Sequence, residues 1–180
     1  VYPDNELQAL AKVCREEEVI VISDEIYSLI DFRKEKFSSI GRYLPESTVV
    51  TGGMSKAFSA GGWRLGLAFV PDAMSDITKP WNALISETFS CVNAPVQYAA
   101  LEAFSQFEAL RPQIQRFTEI HSVAGSYLFN RFMQMDLNCP EPEGAFYLFP
   151  DFQNHREILK ERRITKCNEL VDDLLNARQV

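Results

Sequence analysis

Histidine is nearly missing from this 180-residue chain, which has only His121 and His155, and the four cysteines, Cys14, Cys91, Cys139 and Cys167, stand too far apart for any metal-ligand spacing. No metal centre is expected, and cysteines so scattered read as reduced thiols of a cytosol-like, cytoplasmic compartment. No uninterrupted apolar run is long enough to cross a bilayer, so the chain reads as soluble, with no membrane partner. Positive charge is also scarce. Lys and Arg number 18 against 25 Asp and Glu, and a formal charge of -7 argues against nucleic acid as the main partner. Val1-Tyr2-Pro3 has neither an initiating methionine nor the charged and apolar regions of a signal peptide.

What is present is material for a packed core. A hydrophobic content of 46% supports one, and 180 residues suggest one domain, or one and a part. Asp4 can cap a helix running to about Glu17, with Leu7, Leu10, Ala11 and Cys14 along one face. The apolar run Val19–Ser23 then reads as a strand of a parallel sheet, ending in Asp24-Glu25-Ile26-Tyr27.

A second strand is expected over Ser47–Thr51, where β-branched residues dominate and Gly52-Gly53 breaks the run, as where a backbone must turn or something must approach closely. Lys56 therefore lies just beyond a strand's carboxyl end, the edge at which open α/β sheets bind ligands. Gly61-Gly62 interrupts the chain again, and Trp63–Pro71 reads as a returning strand, antiparallel to the first. A lysine and an arginine on either side of a Gly-rich connection can hold an anion. Arg64 offers a planar fork for phosphate, and Lys56 an amine of the kind that forms Schiff bases. Taken singly, Lys56 is an ordinary surface lysine and Asp24 an ordinary strand end.

Together, Ser55-Lys56, five further residues, Gly62-Trp63-Arg64 and Leu65-Gly66 resemble the cofactor-lysine signature of the class I/II aminotransferases, the fold-type I pyridoxal-phosphate enzymes. Val19–Tyr27, VIVISDEIY, resembles the same family's strand ending in Asp-Glu-Ile-Tyr. The resemblance implies an α/β fold: part of the large domain over 1–115, with a mostly parallel sheet, flanking helices and one antiparallel strand. A linking helix and the beginning of a small α+β domain would follow over 116–180. It implies a pyridoxal 5'-phosphate-dependent aminotransferase that moves an amino group from an amino acid to a 2-oxo acid.

The residue roles it implies are specific. Lys56 would form the Schiff base and move the proton at Cα; Asp24 would face the pyridine nitrogen. Tyr27 would hydrogen-bond the ring's phenolic oxygen, and Ser55 and Arg64 would hold the phosphate. In many relatives a second hydroxyl stands three residues before the lysine, where this chain has Gly53. Family members form homodimers, so a dimeric parent is implied. The alternatives are a fold-type I lyase, an aminocyclopropane-carboxylate synthase-like enzyme, or an inert folded fragment acting only as an interaction module.

The rest of the chain carries less chemistry. Ser28–Pro45 reads as a mixed loop with Phe32, Phe37, Ile40 and Leu44, and Asp72–Leu84 as a short helix or irregular crossing. Helices are expected over Pro95–Phe107 and Arg111–Met135, with Gly125 the weak point of the second and His121 a packing residue beside its apolar stripe. Gly144 with the aromatic run Ala145–Phe149 resembles the Pro-x-Gly-x-Phe-Tyr strand that opens the family's small domain. His155–Arg163 reads as a solvated helix or loop. Cys167, Leu170, Val171, Leu174 and Leu175 form the inner face expected for a last helix. Because the family's other segments are unmatched, the chain is expected to be a fragment, to expose a sheet edge and apolar surface, and to self-associate.

Overall fold

The computed structural model describes residues 1–34 and 37–178, which divide into two compact units. The first comprises Val1–Val123 with Glu143–Ala145, and the second Ala124–Pro142 with Phe146–Val180.

The first unit starts with helix α1, Asp4–Glu16, which buries Leu7, Ala11 and Cys14 at the i, i+4, i+7 spacing of one helical face. Pro3, not Asp4, holds the N-cap position, and no side chain caps it. Asp4 and Glu6 instead place negative charge in the first turn, where the helix dipole favours it. The helix ends as Glu18 turns left-handed (φ 53) and the Val19 amide donates to Cys14 O at 2.8 Å.

Strands β1 (Val21–Asp24), β2 (Thr48–Gly53) and β3 (Gly66–Phe69) form a sheet in that order, β1 parallel to β2 and β2 antiparallel to β3. The mixed α/β sheet with one antiparallel strand is the expected one. Of the two roles expected for Gly52-Gly53, the turn is not found, because both glycines pair in the ladder, with Leu67 and Gly66, and the close approach is. A Cβ on Gly53 would lie 2.7 Å from Leu65 O, so the close approach of β3 excludes every side chain there. The returning strand is shorter than expected, since Gly61–Trp63 forms a 3-10 turn and Arg64 adopts a left-handed conformation (φ 58, ψ 44) before it.

Three buried clusters fasten these elements. Leu7, Ala11 and Cys14 pack on Ile40 and Leu44, so the 28–45 excursion covers the apolar face of α1. Met54, Ala60 and Leu65 pack on Ala100 of α3 (Ala94–Ser105), while Ile30 and Ala57 pack on Ile114 of α4 (Phe107–Gln134). Helix α2 (Thr78–Thr88) follows a 3-10 stretch at Asp72–Ile77. Both outer strands keep large apolar side chains in water: Ile22 is 70% exposed and Phe69 62%.

In the second unit, α4 runs through Gly125 without interruption, since one glycine costs only about 1 kcal/mol in a helix. The aromatic run Ala145–Phe149 is not a strand. Ala145 is left-handed (φ 57), and the only ladder contacts nearby, among the described residues, are isolated bridges at Asp31–Gly144, within the first unit, and Asn138–Asp151. Among the described residues no neighbouring strand receives the run, and Phe149 stands 84% exposed. Helix α5 is Arg156–Glu161 and α6 is Cys167–Arg178. The expected inner face of α6 is largely in solvent, with Val171 53% and Leu175 52% exposed. Among the described residues no helix is long and apolar enough to cross a membrane, and no group of His, Cys, Asp or Glu could hold a metal ion.

Candidate active site at the carboxyl edge of the sheet

The register of β1 on β2 sets Asp24, the last residue of β1, opposite Thr51, two residues before the end of β2. Asp24 Oδ1 accepts from the Ile26 amide at 3.3 Å and from the Thr51 hydroxyl at 3.5 Å, and the Glu25 amide donates to Thr51 O at 2.8 Å. The Asp24 carboxylate is thus fastened by an Asx turn on one side and the neighbouring strand on the other, while the residue stays exposed.

Lys56 is placed by its neighbours. Met54 and Ala57 are each buried, in different clusters, and the two residues between them, Ser55 and Lys56, are left half-buried on a turn. Ser59 N donates to Lys56 O at 3.0 Å and Ala60 N to Met54 O at 3.2 Å, which closes that turn. Tyr27 packs against the same cluster that buries Ala57. Lys56 Nζ consequently lies 5.7 Å from the centroid of the Tyr27 ring, within cation–π range.

Arg64 is arranged differently. Its Nη1 donates to Gly61 O at 2.7 Å, and the residue is exposed at the end of the 3-10 turn. A left-handed arginine costs roughly 1–2 kcal/mol relative to the right-handed form. Here it reverses the chain from the Gly61–Trp63 turn into β3. Cβ atoms built on Gly52 or Gly62 would meet nothing within 4 Å, so open space adjoins both ends of the Lys56 connection.

Two cavities flank the connection. One of about 230 Å³ is lined by Met54, Ala57, Phe58, Trp63 and residues of α3 and α4, and one of about 160 Å³ by Glu25, Ser28, Thr51, Gly53 and Phe104 among others. Neither is lined by Asp24, Lys56 or Arg64. Of the residues singled out in the sequence, Lys56 and Tyr27 adjoin directly, Asp24 sits on the same edge, and Ser55 and Arg64 border the Gly-rich connection. Sequence reasoning missed Thr51 and Glu25. The signal for Thr51 was its place as the last residue of the β-branched run, next to where the other expected strand ends at Ser23-Asp24. For Glu25, two hydroxyls converge on the carboxylate, from Ser23 at 3.0 Å and Ser39 at 2.5 Å, and only the fold brings Ser39 there.

The pattern of the family described as Aminotransferase class I and II matches residues 1–180. The chain is 33% identical over 184 residues to an aspartate aminotransferase of Geobacillus stearothermophilus, covering 100% of this chain and 44% of that relative. It is 33% identical to an aspartate/prephenate aminotransferase of Thermus thermophilus, covering 84% of this chain and 38% of that one. Among solved structures it resembles the aspartate aminotransferase from Thermus thermophilus with maleate, at a TM-score of 0.78 and 32% identity, over 86% of this chain and 39% of that chain. This chain therefore spans less than half the length of these relatives.

Proposed function

The chain belongs to the class I and II aminotransferase family, and from that premise we propose that it carries the cofactor-binding core of a pyridoxal 5'-phosphate-dependent aminotransferase moving an amino group from an amino acid to a 2-oxo acid. The observation that carries the proposal is the Lys56 amine beside the Tyr27 ring, with the Asp24 carboxylate held by Thr51 where β1 ends. These residues suit the group chemically: an amine for its aldehyde, a carboxylate for its ring nitrogen, and open space beside Gly52 and Gly62 for its bulk.

Bound there, pyridoxal 5'-phosphate supplies an electron sink for the pair left when a Cα bond of an amino acid breaks. The chain's residues do the rest. Asp24, held by Thr51 and the Ile26 amide, would face the ring nitrogen and offer its carboxylate to it. The Tyr27 hydroxyl would donate to the ring's phenolic oxygen. Lys56 would hold the group through its amine and move the proton at the substrate's Cα. Arg64 and Ser55 would hold the phosphate, and the Arg64 guanidinium, which donates to Gly61 O in this structure, supplies the planar fork for it.

The same reading takes 1–115 as the carboxyl-terminal part of the cofactor-binding domain and 116–180 as the linking helix and start of a small domain. The whole protein would be a homodimer. Relatives named for aspartate make L-aspartate with 2-oxoglutarate the first substrate pair to try.

The test is to mix the purified chain with pyridoxal 5'-phosphate, record its visible absorbance, reduce with borohydride and map the modified peptide by mass. The expected result is an adduct on Lys56 that Lys56→Ala removes. An adduct spread over surface lysines, unchanged in Lys56→Ala, overturns the proposal for this chain.

A further inference from the structure

Glu25 follows Asp24 directly, yet nothing in the proposed chemistry uses it. Its half-buried carboxylate oxygen Oε1 accepts two hydroxyls, from Ser23 at 3.0 Å and from Ser39 at 2.5 Å. The second bond spans fourteen residues and ties Glu25 to the excursion that follows β1. Ser39 also reaches the other way, for its Oγ accepts from the Gly41 amide at 3.0 Å and so caps the 3-10 turn at Ile40–Arg42. Ile40 in turn is buried with Leu7 and Leu44 in the cluster beneath α1. A chain of contacts thus runs from the α1 core through Ile40, the 3-10 turn and Ser39 to Glu25.

On the other side of Glu25 the backbone is equally fixed. Its amide donates to Thr51 O, and its carbonyl accepts from Ser28 N at 3.0 Å, closing the turn that contains Tyr27. Asp24 and Tyr27 flank that one residue. If Glu25 swings, both must follow.

We propose that Glu25 is a positioning residue: by gathering the hydroxyls of Ser23 and Ser39, its carboxylate fixes the Asp24–Tyr27 turn and so orients the two side chains that address the cofactor ring. The inference rests on the cofactor reading above for its consequence, but not for its geometry. A carboxylate suits the position because its charge strengthens both hydroxyl bonds to Oε1. A glutamine keeps the shape but brings donors and loses the charge.

The test compares the chain with its Glu25→Gln and Ser39→Ala variants, with Glu16→Gln, an exposed carboxylate of α1, as control. Two properties are read: amide hydrogen exchange over residues 24–30, and titration with pyridoxal 5'-phosphate, giving affinity and the pH midpoint of the visible band. Both variants are expected to exchange faster at Ile26 and Ser28, to bind the cofactor about tenfold more weakly, the scale of one charge-assisted hydrogen bond, and to move the pH midpoint. A general loss of stability would not move the midpoint, and the control moves none of these. If the parent chain binds at Lys56 and both variants keep its affinity and midpoint, the inference fails while the cofactor reading stands. If the parent chain takes no cofactor at Lys56, that reading fails, and exchange alone decides: faster exchange at Ile26 and Ser28 supports the inference, and unchanged exchange overturns it. Should Glu25→Gln not fold, Ser39→Ala decides the same question from the other end of the bond.

Discussion

Gly53→Ala and Gly52→Ala should move stability in opposite directions although the two residues are adjacent in one strand. A Cβ at position 53 would come within 2.7 Å of Leu65 O and 3.2 Å of Gly66 Cα, both backbone atoms of the β3 side, which no rotamer change can withdraw. β2 and β3 would have to part where the Met54 amide reaches Leu65 O at 3.5 Å. Forcing one extra carbon into a filled site typically costs about 1–3 kcal/mol. At position 52 the same carbon meets nothing within 4 Å, so the substitution mainly stiffens the unfolded chain and is expected to gain about 0.4–1 kcal/mol. With a urea slope of about 2 kcal/mol per molar, Gly53→Ala lowers the unfolding midpoint by roughly 0.5–1.5 M and Gly52→Ala raises it by up to about 0.5 M. Equilibrium urea unfolding followed by circular dichroism reads both midpoints. Equal shifts, or a Gly53→Ala midpoint at that of the parent chain, would refute the steric argument. Serine at 53 meets the same obstacle, so the hydroxyl that many relatives carry three residues before the lysine cannot simply be restored here.

Three further outcomes follow from the packing and charge. Leu44 is fully buried at the centre of the α1 cluster, so Leu44→Ala should cost about 2–5 kcal/mol in the same urea assay, whereas Leu10→Ala, at a site 46% exposed, should cost far less. Glu169 accepts from the Thr165 amide and hydroxyl and from the Lys166 amide, and these bonds hold its carboxyl below the usual glutamate range. A depressed carboxyl contributes stability that is present above the unfolded value and lost as pH falls through the folded one; α6 should therefore loosen below about pH 4, as amide exchange over 165–172 would register, and Glu169→Gln should flatten that dependence. With Ile22 and Phe69 exposed on the two outer strands, the chain should self-associate at micromolar concentration, and light scattering giving a single monomeric mass would count against it.

The parts of the fold that could be read from the sequence are those settled by neighbours in the chain. Thr48–Thr51 is β-branched throughout, and Val19–Ser23 is apolar but for its last residue, so strands at β1 and β2 follow from local preference. The meeting of Lys56 with Tyr27 was legible only as a family motif. Its physical cause, the shared burial of Tyr27 and Ala57 around Ile30 and Ile114, joins residues far apart in sequence that no periodicity connects. The misreadings have the same root. Phe146, Tyr147 and Phe149 have strand-forming side chains, but a strand is a pairing, and no described partner receives them. Val171 and Leu175 do share a face of α6, yet amphipathic spacing says which side chains point together and nothing about what lies beneath them. Gly52-Gly53 carried two meanings, a turn or a close approach, and only the position of Leu65 O, just before β3, chooses between them. Glu25 is the sharpest instance: Asp24-Glu25 looks like a strand end with spare charge, and it becomes a junction only when the excursion through Ser39 returns to it.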